Sequence, residues 1–273
     1  MKRPWRQQTI IQFSLVLFFL QFADTLYAQD MSLFLKSEFT SKEGKTMPYR
    51  ILFPENYNKQ GKYPVVLFLH GAGERGNDNE KHLTHGATLF LSESARNNFP
   101  AIVLFPQCPA EDFWSSVKIM RENTPAVMDF NYESKPTEAL QMAMELTQMI
   151  VDKEAVDPSR IYITGLSMGG MGTFEAVYRY PDMFASAIPI CGGGDTKHYD
   201  KRVLNTAFWI FHGDADAVVD VNLSRQMDQR LRDLKARVKY TEYPGVNHNS
   251  WDNAFAEQDF LSWLFSFKKQ SMN

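Results

Sequence analysis

The sequence predicts an α/β fold, a mainly parallel sheet of about eight strands covered by helices on both faces, and three observations carry that prediction. The first is a set of short apolar runs, at 65–69, 101–105, 185–190 and 207–211, that lack the in-out alternation of a half-exposed strand. The second is that helix-compatible segments lie between such runs, the arrangement that joins parallel strands through crossover helices. The third is one stretch, Ile161-Tyr162-Ile163-Thr164-Gly165-Leu166-Ser167-Met168-Gly169-Gly170. In it a strand of β-branched and aromatic residues enters Gly-x-Ser-x-Gly and continues into a helix-compatible run that Pro181 stops.

Taken in order, the runs at 33–40 and 47–53 flank the polar turn Ser41-Lys42-Glu43-Gly44-Lys45 and read as an antiparallel hairpin at one edge of the sheet. Val65-Val66-Leu67-Phe68-Leu69 reads as a central strand and ends in His70-Gly71-Ala72-Gly73-Glu74-Arg75-Gly76. Residues 77–99 are expected to be helical in part, and 101–105 is the next strand. A long connection from 106 to 136 carries Phe113, Trp114, Phe130 and Tyr132; connections of this length without regular structure are usually functional or mobile. A helix over 136–152 has Pro136 in its first turn and Leu140, Ala143, Met144, Leu146 and Ile150 on its apolar side. After the elbow and its helix come strands at 185–190, 207–211 and 238–243, with helices over 222–235 and 252–267. The short interval 192–206 leaves no room for a cap domain, so an open site is expected. No repeat, low-complexity segment or linker divides the chain, which implies a single domain over 29–273.

With 44% hydrophobic and 22% charged residues, the chain can bury a full core. A formal charge of −3 without a Lys/Arg cluster argues against a nucleic-acid partner. Lys2, Arg3 and Arg6 precede an apolar run at 10–20, and Leu26-Tyr27-Ala28 places a small residue before Gln29, the pattern of a cleavable secretory signal over 1–28. The run contains Gln12 and Ser14 and falls short of the ~20 apolar residues a membrane span needs. The expected product is an exported protein, periplasmic or secreted, that begins near Gln29 and has no stable membrane span. Export permits a disulfide, and Cys108 and Cys191 are the two cysteines. They follow strands that the expected order separates by two others, about three spacings of ~4.8 Å, beyond the ~7 Å Cα limit of a disulfide. Two free, buried thiols are therefore expected.

The turn at Ser167 should hold its apex residue in strained backbone geometry, projecting the hydroxyl above the sheet. Side chains at 165 and 169 would collide there, and glycine removes the collision. A serine hydroxyl is a weak nucleophile and needs a base in hydrogen-bond reach and a third group that orients the base. Asp216 follows the strand at 207–211, within His212-Gly213-Asp214-Ala215-Asp216-Ala217-Val218-Val219. His248 follows the last strand, within Pro244-Gly245-Val246-Asn247-His248-Asn249-Ser250-Trp251. Both loops lie at the carboxyl ends of parallel strands, where sites of such sheets form. Asp214 and Asp220 are rivals for the acid, and His212 reads as a structural residue at the strand end. Trp114 is the better candidate for a substrate contact because it lies in the long connection; Trp251 is a pocket wall or the anchor of the last helix. Glu74 and Arg75 read as an ion pair shaping their loop or as substrate contacts, and Asp195 and His198 receive no role. His82 and His85 stand three apart with no carboxylate at ligand spacing, so no metal site is expected, and the chemistry calls for no cofactor.

Together Leu69-His70-Gly71-Ala72-Gly73, Gly165-Leu166-Ser167-Met168-Gly169-Gly170, the His212 motif and the His248 loop resemble the α/β-hydrolase superfamily. More narrowly the chain resembles secreted esterases of the polyhydroxybutyrate-depolymerase-like and dienelactone-hydrolase-like group, some of them labelled predicted peptidases. The resemblance spans nearly the whole mature chain and includes Pro106-Gln107-Cys108-Pro109 with Trp114. It implies the α/β-hydrolase fold, Ser167 as nucleophile, and His248 as general base and then acid. It selects Asp216 as the acid, four residues after the histidine in His-Gly-x-x-Asp-x-Val-Val. The backbone N–H groups of Met168 and of Ala72, or in its place Gly73, would form the oxyanion hole, where losing one donor typically costs ~10²–10³ in rate. The implied activity is that of a serine carboxylesterase on a small-molecule or polysaccharide-linked ester, with acetyl and feruloyl groups as candidates. The alternatives are a prolyl-oligopeptidase-like serine peptidase and a non-catalytic binding protein on the same scaffold; the oligomeric state is left open.

Overall fold

The chain's apolar runs form ten strands in the computed structural model, which describes residues 30–269. The secretory-signal reading of 1–28 lies outside the described residues. The first four strands are β1 (Leu35–Thr40), β2 (Thr46–Leu52), β3 (Tyr63–Leu69) and β4 (Ile102–Pro106), with α1 (Ala87–Leu91) and α2 (Glu93–Asn98) between β3 and β4. A small hairpin follows, β5 (Val117–Met120) and β6 (Val127–Phe130), then α3 (Glu138–Lys153), β7 (Val156–Leu166) and α4 (Met168–Arg179). The chain ends in β8 (Ser186–Ile190), β9 (Ala207–Gly213), α5 (Val221–Asp233), β10 (Val238–Tyr243), α6 (Trp251–Ala256) and α7 (Phe260–Phe265). Eight strands make one sheet in the order β1-β2-β4-β3-β7-β8-β9-β10. β1 pairs antiparallel with β2 and β2 antiparallel with β4, while every pairing from β4 to β10 is parallel.

The uninterrupted apolar strands are read out by pleat. Val65, Leu67 and Leu69 of β3 point into one core with Leu140, Leu146, Phe174, Met227 and Leu231 of α3, α4 and α5. Val66 and Phe68 point into the opposite core with Phe90, Ala254, Phe260 and Leu264 of α1, α6 and α7. Period-2 alternation thus serves two buried faces at once, the reason these strands show no polar face. Cys108 and Cys191 are both free and buried, as β3 and β7 lie between the strands that precede them. No described helix is long and apolar enough to cross a membrane.

Two expectations are modified. The connection from 106 to 136 contains the β5–β6 hairpin, in which Ile119 stands opposite Met128; strands of four residues joined through a turn containing Pro125 are too short to register as periodic patterns in sequence. The terminal helix over 252–267 is two helices. At about 100° per residue a continuous helix would carry Phe260 roughly 120° around the axis from Ala254. The break at Glu257, whose carboxylate accepts from the Tyr243 hydroxyl at 2.8 Å, turns both residues into the same core.

Candidate active site

The site begins at the junction of β7 and α4. Ser167 adopts φ 54° and ψ −116°, a backbone conformation that L-residues rarely take, and its N–H donates to Ile190 O at 2.8 Å. The tight packing around it leaves no space for side chains on either flank. A Cβ on Gly165 would lie 2.4 Å from Gly169 O, and one on Gly169 would lie 1.9 Å from Leu69 O. At Gly169 the backbones of β3 and α4 meet directly, which lifts Ser167 to the carboxyl edge of the sheet.

Ser167 Oγ lies 2.9 Å from His248 Nε2, and His248 Nδ1 lies 2.7 Å from Asp216 Oδ2. The rival carboxylates are engaged elsewhere: Asp214 Oδ1 accepts from Gly245 N–H at 2.6 Å, and Asp220 caps α5 through the Asn222 N–H. Asp216 is held from both sides. Its Oδ1 accepts the N–H groups of Val218 and Val219 at 2.8 and 2.9 Å, and its Oδ2 also faces His212 Nε2 at 3.2 Å. Burial alone would raise its pKa, but the hydrogen bonds from His212, His248 and Val219 outweigh burial and keep Asp216 ionised far below the ordinary carboxylate range. His212 is thus placed as a structural residue at the strand end, and it bears directly on Asp216.

The loops carrying Asp216 and His248 are laced together. Ala215 N–H donates to Val246 O at 3.1 Å, and Ala217 N–H to Asn247 Oδ1 at 3.0 Å. Asn247 is a supporting residue that sequence reading did not single out, its position beside His248 being the available signal; Asp214, a rival for the acid in sequence, supports the His248 loop instead. Such a serine–imidazole–carboxylate chain can remove a proton from a hydroxyl and stabilise the resulting imidazolium.

Met168 opens α4 and Ala72 opens a short helical turn, Ala72–Glu74, so their N–H groups occupy first-turn positions that have no acceptor within the helix. Both residues line the cleft of about 290 Å³ above Ser167, as does Gly73. The loop that carries Ala72 is latched by His70, whose Nδ1 contacts Gly71 O at 2.7 Å and whose Nε2 accepts from Cys108 N–H at 3.0 Å. Those partners place the proton on Nδ1. Arg75 reinforces the same loop through Ala72 O and Asp112 O, both at 3.1 Å, and makes no ion pair with Glu74.

Trp114 is not brought to the cleft, which corrects its assignment as a substrate contact. It is fully buried, its Nε1 donates to His70 O at 3.1 Å, and its Cβ lies 2.5 Å from where a Cβ on Gly172 would stand. Its indole supports the His70 loop from inside, and an irregular neighbourhood in sequence concealed that packing. Phe113 forms the wall instead, with Ile119 and Met128 of the β5–β6 hairpin and Met171, Val218 and Trp251. Trp251 packs edge-on against His248 at 5.4 Å between ring centroids, so it both walls the cleft and supports the His248 ring. Cys191, Asp216 and His248 are the one described group whose potential ligand atoms converge within 4.8 Å. Burial raises the Cys191 thiol far above its ordinary pKa and keeps it protonated, and Asp216 and His248 are already bonded to each other. This is not the chemistry of a metal centre.

His70 and His82 give a pH prediction. Burial pushes His70 down to about 4 and His82 to about 3, from an ordinary value of 6.5. The unfolded chain therefore binds protons that the folded chain refuses, and stability falls as pH drops from about 6.5 towards 4, by up to about 1.4 kcal/mol per pH unit for each histidine. Neither ring nitrogen of His82 has a hydrogen-bond partner among the described residues, so His82→Leu leaves no polar group orphaned. Urea denaturation of His82→Leu at pH 7 to 4.5 should show a shallower loss than the parent; parallel curves would refute the assignment.

Residues 40–232 match the model of the family described as "Putative esterase". The chain is 26% identical over 216 residues to "Probable carboxylesterase SOBER1-like" of Arabidopsis thaliana, covering 76% of this chain and 78% of that one. Its fold is similar to that of a crystallised thermostable esterase, with TM-score 0.78 and 37% identity, covering 87% of this chain and 64% of that one, slightly less than two thirds of its length. A ferulic acid esterase shares the fold with TM-score 0.63 and 19% identity, covering 85% of this chain and 98% of that one. The matched residues run from the end of β1 to α5 and include both the Ser167 elbow and the Asp216 loop, and on that evidence the chain belongs to this esterase family, as a serine ester hydrolase of the α/β-hydrolase fold.

Proposed function

We propose that Ser167 is the nucleophile of a carboxylic-ester hydrolase, with His248 as general base and then acid and Asp216 as the group that orients and stabilises it. The observation that carries this reading is the continuous hydrogen-bonded chain Ser167–His248–Asp216, at 2.9 and 2.7 Å, on the floor of an apolar cleft. His248 Nε2 takes the Ser167 proton as Oγ attacks the ester carbonyl. The oxyanion accepts from the N–H groups of Met168 and Ala72, and its collapse expels the alcohol, which leaves with the proton from His248. Water then attacks the acyl-enzyme by the same path in reverse and releases the acid.

Acetyl or feruloyl esters of polysaccharide fit this reading, because aromatic walls at Phe113 and Trp251 flank a cleft that stands open. An exported protein, matured near Ala28, would meet such substrates. A fluorophosphonate probe should label Ser167, identified by mass spectrometry of the adduct. On one preparation, acetyl, butyryl and feruloyl esters should be hydrolysed well ahead of short peptide p-nitroanilides. Labelling elsewhere, or faster amide cleavage, would overturn the proposal.

A further inference from the structure

Glu74 stands out among the groups that the proposed chemistry does not use. It lies two residues after Ala72 and lines the cleft with Ser167, and its side chain is only 13% exposed. Its Oε2 is fully buried with no hydrogen-bond partner among the described residues, and its Oε1 stands 3.9 Å from His85 Nε2, outside hydrogen-bond range. Oε1 has no hydrogen-bond partner among the described residues either and is not sealed off as Oε2 is, so it is the oxygen that a group in the cleft can reach to offset the cost of the buried carboxylate. His85 lines the same cleft and packs on Trp251 at 5.1 Å between ring centroids.

We infer that Glu74 and His85 together bind a hydroxyl group of the substrate, close to the ester bond that is cut, an inference that rests on the ester-hydrolase reading of Ser167. A gap of 3.9 Å between an acceptor oxygen and a ring nitrogen is too long for a direct bond. One oxygen atom bridges it well: a hydroxyl donates to Glu74 Oε1 and accepts from the Nε2–H of His85. With the proton on His85 Nε2, the pair takes a group that both donates and accepts, as a hydroxyl does and an ammonium does not. The substrate class is therefore a hydroxylated ester, with the hydroxyl on the alcohol side, as in a sugar ester, or on the acyl side, as in a hydroxyacid ester.

Two substrate pairs separate these sources: a monoacetylated methyl pentoside against its deoxy analogue, and ethyl 3-hydroxybutyrate against ethyl butyrate. The full-length mature protein should prefer the hydroxylated member of at least one pair by about tenfold in kcat/KM, the worth of one hydrogen bond to a charged group. In Glu74→Leu and in His85→Phe the preference should fall to within about twofold of unity. The loss should appear mainly in KM, and the hydroxylated ester should lose more than its partner. His85→Phe keeps an aromatic ring against Trp251, so it tests the pairing even if Glu74→Leu fails to fold. Equal rates for both members of both pairs in the parent, or a preference unchanged in the folded variants, would overturn the inference. Failure of the parent to hydrolyse any ester, with p-nitrophenyl acetate turnover the same in Ser167→Ala, would instead refute the reading on which it rests.

Discussion

Replacing Ser167 with alanine is expected to lower kcat for p-nitrophenyl acetate by on the order of 10⁴-fold or more, and to leave the fold in place. The first half follows from chemistry: removing Oγ leaves His248 with no hydroxyl to activate, and water held in the cleft lacks the geometry of a covalent attack. The second follows from packing, since among the described residues the one side-chain hydrogen bond of Ser167 is the 2.9 Å contact to His248. Alanine retains the strain of φ 54° and adds no atom. Thermal unfolding followed by circular dichroism should therefore move by only a few degrees while turnover disappears. Turnover within tenfold of the parent would remove Ser167 from the mechanism.

Gly169→Ala should do the reverse, destabilising by about 3 kcal/mol or more, read as a lowered urea midpoint. The added Cβ would stand 1.9 Å from Leu69 O and 2.5 Å from Leu69 C, and a backbone carbonyl in a central strand cannot rotate away as a side chain can. β3 and α4 must separate. The cost extends to activity, because the loop after β3 carries Ala72 and α4 begins at Met168, so the two proposed oxyanion donors would move apart. A misplacement of about 1 Å at such a site costs roughly 10²-fold. Gly73→Ala is the matched control for stability, since a Cβ there meets nothing within 4 Å. Equal urea midpoints for the two variants would show that close β3–α4 contact is not what Gly169 provides.

Much of this was legible in sequence because the signals were local. Doubly buried strands announce themselves as unbroken apolar runs, and the elbow carries its own glycines. The chain order of Ser167, Asp216 and His248 places all three on the strand ends of a parallel sheet. Trp114 was misread for the opposite reason. Nothing in residues near 114 records that its indole N–H reaches the carbonyl of His70, 44 positions earlier. The β5–β6 hairpin was missed because four-residue strands are below the length at which alternation is distinguishable from chance, although its Ile119–Met128 pair walls the cleft.

By itself the sequence determined the fold class, the strand order that keeps Cys108 and Cys191 apart, and the residues that meet at Ser167. Periodicity, turn glycines and short-range motifs are properties of contiguous chain, and the sheet topology follows from them through few allowed connections. Only the tertiary structure decided that His70 rather than an ion pair latches the Ala72 loop, that Trp114 packs inside it, and that Glu74 and His85 stand 3.9 Å apart in the cleft. Those facts depend on distances between segments far apart in the chain. They are set by how closely backbone meets backbone at Gly165, Gly169 and Gly213, where packing to within tenths of an ångström fixes which polar groups meet.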